Sequence, residues 1–330
     1  MITLVLLLVL EIVLVGYIAS RIVRHQATPT PTLRAATLTA SALLLTMLSV
    51  TEPFEVVMRG PAALTVWGPT LLKHLGILGC GAGVLLMTLA QRQLHRAAAE
   101  MAVWLWFSAS AVAVVVLHIV AGGGGQRTSV EYVEWSHTQP LLVAAMLVSY
   151  VGGLAASIGV FAVIWPLHLR SSAGRGLAIM ALGALLSAGW CFMRLRYLGE
   201  AVASSSTPQD GDFLITQLLS LSGVLMLTIG LVWSTAEADV SAWSDWRQFR
   251  ALNWRVLEVV PEVRRGSDRR LGFDTWVSDR AIEVLDGLHQ IERISGVQTG
   301  FPRAPERVSN GEMTAVVADL GRQYGDRRTI

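Results

Sequence analysis

This chain is short of charge, lysine, cysteine and every familiar catalytic signature. Charged residues make up 15% of its 330 positions, against about 25% in an ordinary soluble domain. That shortage argues against a freely soluble protein. Of 26 basic residues, Lys73 is the single lysine and the other 25 are arginine, a bias that GC-rich coding produces. The two cysteines, Cys80 and Cys191, each sit inside an apolar stretch. Neither has metal-ligand spacing or a disulfide framework around it, so both read as buried structural thiols. There is no HExxH, Walker loop, GxSxG, kinase or phosphatase signature, so no enzyme activity, cofactor or metal is expected. The Gly122–Gly125 run lacks a following phosphate-binding helix pattern. His289 lacks the context of a phospho-accepting histidine and reads as solvated.

What the chain has in abundance is apolar sequence. Hydrophobic residues reach 53% and the mean hydropathy is +0.52. A helix needs about 20 apolar residues to cross a hydrocarbon core of about 30 Å. Seven stretches qualify: Ile2–Ser20, Leu33–Val50, Leu71–Ala90, Met101–Val120, Leu141–Trp165, Gly176–Tyr197 and Phe213–Trp233. The fold expected is all-α: a seven-helix transmembrane domain over 1–233, followed by a small helical cytoplasmic domain over 234–330. The first stretch has no basic n-region and no small-residue cleavage site, so it reads as an uncleaved span.

Arginine distribution sets the expected orientation. Arg21, Arg24, Arg34, Arg92, Arg96, Arg170 and Arg175 fall in one set of loops, and only Arg59 and Arg127 in the other. Acidic residues, among them Glu52, Glu55, Glu131 and Glu134, gather on the arginine-poor side. The positive-inside rule then puts the N-terminus outside the cell membrane and the tail in the cytoplasm. Thr28–Thr32 reads as an extended Thr-Pro connector, and Ala62–Val66 as an interfacial or dipping segment.

The tail carries 14 arginines and 15 acidic residues from Ser234 onward, which argues against nucleic acid as a partner. Three amphipathic helices are readable in it. The first aligns Trp246, Phe249, Leu252, Val256 and Val259 and ends before Pro261. The second aligns Val277, Ala281, Val284, Leu288 and Ile291, with Leu285 widening the stripe. The third starts at Asn310 and is expected to bury Met313, Val316, Val317 and Leu320.

Function is sought among ionisable residues within the spans, because each needs a partner or a water-filled cavity. Glu11 lies halfway along the first span, as a protonated helix-gluing acid or as a proton or cation site. With the orientation applied, Lys73, His74, His118, Arg194 and Arg196 fall at similar depth near the outer side, with Trp190 one turn below Arg194. They can line an outward-facing pocket for an anionic or polar ligand, capped by Glu134 and His137. Snorkelling to the headgroups is the alternative reading, above all for Arg196 and Lys73.

The tail adds a resemblance. Trp246–Arg264 is similar to a tryptophan-containing helix that ends in a Pro-Glu step, here Pro261 and Glu262. Asp279–Gly287 is similar to a segment in which Arg280, Ile282, Glu283, Asp286 and Gly287 match, while Leu285 replaces a basic residue. The chain thereby resembles a bacterial family of seven-helix membrane proteins, described as transporters, with a cytoplasmic C-terminal domain of unknown function. That family occurs mainly in high-GC bacteria. The resemblance implies a small-solute transporter and transfers no catalytic residue. The other expectation is a receptor or scaffold that signals through residues 234–330 to a cytoplasmic protein partner. Oligomeric state is not legible.

Overall fold

The computed structural model describes residues 2–27, 30–49, 67–91, 97–122, 136–165, 171–204, 210–264, 273–295 and 310–324. Among the described residues the chain is all-α, with no strand. It divides into two compact units, Met1–Ser234 and Thr235–Ile330.

The first unit holds α1 (Ile2–Ala27), α2 (Pro31–Leu48), α3 (Trp67–Gln91), α4 (Ala97–Ala121), α5 (Pro140–Ile164), α6 (Ser172–Ser204) and the first part of α7 (Asp210–Val259). Among the described residues six stretches are long and apolar enough to cross a membrane: Pro31–Leu48, Gly68–Ala90, Ala97–Ala121, Pro140–Ile164, Gly174–Ala203 and Leu214–Val259. The first apolar stretch is the 26-residue helix α1, which is not one of those six.

Local chemistry explains the helix ends. Of the Thr-Pro run, Thr28 and Pro29 lie outside the described residues, and Thr30 onward is a capped helix start. Thr30 is the N-cap, its hydroxyl accepts from the Leu33 N–H at 3.2 Å, and Pro31 opens α2. Proline suits that first position because its missing N–H would lack a helical partner anyway. Pro140 opens α5 in the same way. Gly122 follows α4 at φ 75°, and its N–H bonds the Ile119 carbonyl, the left-handed stop that glycine adopts without a side-chain clash.

Packing in this unit runs through small residues. α2 lies against α1 and α3, and α5 against α3, α4 and α6. A Cβ on Gly76 would come within 2.1 Å of Thr46 Oγ1, and one on Gly83 within 2.4 Å of Thr39 Oγ1. On the other side, Gly183 meets the Leu227 backbone and Gly230 the Met180 backbone, so α6 and α7 approach as closely. In lipid, where apolar burial drives little association, such close backbone approach supplies the dispersion contact that holds helices together.

α7 overturns one expectation. The last span and the first tail helix are a single 50-residue helix, and the unit boundary falls inside it. The segment from Ser234 to Asp245 contains neither glycine nor proline, so nothing in it stops the helix.

The second unit packs α7 from Ala242 onward with α8 (Phe273–Ser295) and α9 (Asn310–Tyr324). α7 ends at Val259, and Pro261–Val263 forms a 3₁₀ turn. Phe249, Leu252, Val256, Val277, Ala281, Val284, Leu285, Leu288, Val317 and Leu320 are buried, as their spacing predicts. Two assignments fail: Val259 and Val316 are exposed, Val259 at the fraying end of α7 and Val316 beside the buried face that Val317 occupies. Gly287 and Gly321 permit the docking. A Cβ on Gly287 would meet Val256 Cγ1 at 2.1 Å, and one on Gly321 the Gln248 carbonyl at 2.5 Å.

Candidate functional site

A cavity of about 530 Å³ opens within the first unit, inside the size range of small-molecule sites. Side chains of α1, α2, α3, α5, α6 and α7 line it. Lys73, Trp190 and Arg194 stand on its wall, and no aspartate or glutamate is among the lining residues described.

Lys73 comes from the second turn of α3 and Arg194 from the last third of α6, yet both address one indole. Lys73 Nζ lies 5.6 Å from the Trp190 ring centre and Arg194 Cζ lies 5.7 Å from it. Arg194 reaches back one turn along its own helix, as an i, i+4 pair must. The ring's negative face attracts both cations, and no anion is needed to explain why they coexist there. Arg194 Nε is buried with no hydrogen-bond partner among the described residues.

A line of rings continues from Trp190 across three more helices. Tyr150 of α5 meets Trp190 edge-on at 5.5 Å, and His74 of α3 meets Tyr150 at 5.6 Å. His118 of α4 meets His74 at 5.6 Å. α4 is otherwise exposed or only partly buried, and Val114 and His118 are its buried residues. His118 Nδ1 lies 2.8 Å from the Val114 carbonyl, so Nδ1 is the protonated nitrogen. Its Nε2 is then a buried lone pair without a partner, and His74 Nδ1 is likewise buried and unpartnered.

The structure therefore brings together Lys73, His74, His118, Trp190 and Arg194. His137, on the turn before α5, is half-buried. Burial pushes its pKa below the ordinary imidazole value, and the Arg194 guanidinium nearby pushes the same way. Glu134 lies outside the described residues. Arg196 takes no part in the cluster: it donates to Glu200 at 2.8 Å on an exposed helix face. Glu11 does not line the cavity, although Leu7, one turn earlier on the same face, does. Glu11 Oε1 is buried with no partner among the described residues.

Sequence reasoning missed Tyr150, the ring that joins the histidines to Trp190. Its depth was the available signal, since it lies about 15 Å along α5, close to the level of the other groups. Thr216 and Gln217 of α7 also line the cavity, and Thr216 lies 3.4 Å from the Tyr197 hydroxyl.

The described tail motif residues build a core. Trp246 packs against Trp276 at 4.8 Å. One Nη of Arg280 donates to both Glu283 carboxylate oxygens at 2.6 Å, while its guanidinium lies over Trp276. Glu283 is 0% exposed, so this pair neutralises a charge that could not otherwise be buried. Glu262 accepts a long 3.5 Å contact from Gln290, Pro261 opens the 3₁₀ turn, and Gly287 seats Val256. Asp286 is partly buried beside them.

No known protein family, curated protein or solved structure matches the chain.

Proposed function

We propose that this protein is a seven-helix transporter of the cell membrane, with its N-terminus outside and tail inside, that carries a small anionic solute through the cavity at Lys73 and Arg194. One observation carries this reading: two cations share the Trp190 face on a cavity wall that holds no described carboxylate. An anion entering there gains two charge-assisted partners in a low-dielectric site, where such bonds are strongest. The orientation rests on the seven-to-two arginine bias of the loops, and α1 is taken as the seventh crossing. Glu11, half-buried with one carboxylate oxygen enclosed and unpartnered among the described residues, is proposed as the coupling acid.

The test is uptake of labelled butanesulfonate, a permanently charged anion, into proteoliposomes. Protein-dependent uptake of the anion and none of butyltrimethylammonium is expected. Uptake equal to that of empty vesicles contradicts the reading, and unchanged uptake in Glu11→Gln contradicts the coupling role.

The second reading, a receptor that signals through the tail, is favoured by α7, which belongs to both units. Under it, ligand changes amide exchange within 235–330, whereas a plain transporter leaves that region unchanged.

A further inference from the structure

The cavity is charged at one end only. Along α3, the residues that face it on successive turns are Lys73, Ile77, Cys80 and Val84. Along α6 they are Arg194, Trp190, Ser187 and Ala184. Both series start at a cation and leave it behind within one or two turns. From Lys73 to Val84 is eleven residues, about 16 Å of helix at 1.5 Å each.

Two of the hydroxyl groups on the wall add little polarity to it. Thr46 Oγ1 donates to the Ala42 carbonyl at 2.8 Å, and Ser187 Oγ donates to the Gly183 carbonyl at 2.9 Å. Engaged with their own helices, they offer a ligand no free proton. Leu43, Val160 and Leu227 complete the apolar part of the lining. A sugar or other many-hydroxyl solute would find too few partners there, because each buried unpaired group is penalised. A compact inorganic anion would leave most of the volume unused.

We infer that the cavity takes an amphiphilic anion, with its carboxylate or phosphate head between Lys73 and Arg194 and a single apolar chain of about a dozen carbons lying along α3 toward Val84. This rests on the anion-transport reading and adds the class of solute. The Trp190 ring closes the head compartment, and the chain replaces the solvent that the apolar walls cannot hold by hydrogen bonds.

Photolabelling of the full-length protein in zwitterionic nanodiscs tests this. The probe is a twelve-carbon fatty acid with a diazirine near its chain end. The label is expected on peptides that contain Val84, Val160 or Leu227. Dodecanoate or dodecyl phosphate should compete at a concentration at least tenfold lower than butanoate or dodecanol, and the better of the two identifies the head group. Lys73→Gln and Arg194→Gln should each reduce labelling about tenfold. Val224→Phe, at a residue that lines the apolar part, narrows it and should reduce labelling by the twelve-carbon probe as well. Butanoate competing as well as dodecanoate overturns the amphiphile and leaves the anion site standing. Dodecanol competing as well as dodecanoate overturns both, and so does labelling indifferent to all three substitutions.

Discussion

Lys73 and Arg194 reach the same indole from different helices, at 5.6 Å and 5.7 Å from the Trp190 ring centre. Both groups stand on the cavity wall, where the proposed anion would meet two donors. A hydrogen bond to a charged group is worth about 1.5–3 kcal/mol. Removing one cation should then weaken anion binding about 10- to 100-fold. Lys73→Gln and Arg194→Gln, each titrated with butanesulfonate in nanodiscs, check this. Arg194→Lys should restore only part of the loss, because an ammonium lacks the planar fork of a guanidinium.

His137 supplies a pH dependence whose sign follows from its surroundings. Burial and Arg194 hold its pKa below the ordinary 6.5. Between that value and the depressed folded value, the unfolded chain binds a proton that the folded protein refuses. Stability therefore falls as pH drops through 6.5 and levels off below the folded pKa. In His137→Gln this component vanishes, so thermal unfolding measured from pH 8 to pH 5 should fall less steeply than in the wild type. A bound anion offsets the charge of Arg194 and should flatten the wild-type profile too.

In the tail, Gly287 and Val256 form a size-matched pair. Gly287→Ala places a Cβ 2.1 Å from Val256 Cγ1, an overpacking expected to cost about 1–3 kcal/mol. Val256→Ala removes the obstructing methyl, so the double variant should lose less than the sum of the two single losses. Amide exchange in α8 of the full-length protein measures all three.

The buried pair beside it behaves differently. Glu283→Ala removes a carboxylate partner from the largely buried Arg280 and should destabilise the tail by about 3–5 kcal/mol, read by the same exchange measurement. Glu283→Gln keeps the shape and one acceptor and should lose less.

Topology has its own test. Cys80 and Cys191 line the cavity, so thiol labelling is read in a Cys80→Ala, Cys191→Ala background. Gln126→Cys should react with an impermeant maleimide on intact cells, and Ala304→Cys only after permeabilisation. The reverse pattern inverts the proposed orientation.

Periodicity revealed the helices because each segment carries its own apolar signal. It was blind to continuity: Ser234–Asp245 is polar, yet it is helical because nothing breaks it, and two predicted elements became α7. The cationic cluster was legible from depth alone, since Lys73, His74, His118 and Arg194 sit at matching levels once the helices alternate. Depth cannot say which way a side chain turns. Arg196, two residues from Arg194, faces away and pairs with Glu200, while Tyr150 turns inward and completes the line of rings. Glu11 shows the same limit, at the right helix and one turn from the cavity. In the tail the stripes held where both flanking helices cover them and failed at Val259 and Val316, which no neighbour covers.

The central claim is that Lys73 and Arg194 form an anion site on the face of Trp190. Anomalous scattering from crystals grown in bromide tests it most directly. The account predicts a bromide peak within about 4 Å of Lys73 Nζ or the Arg194 guanidinium, absent in the Lys73→Gln, Arg194→Gln double variant. Bromide found elsewhere on the protein with none in this cavity, or a cavity peak that survives the double substitution, would contradict it.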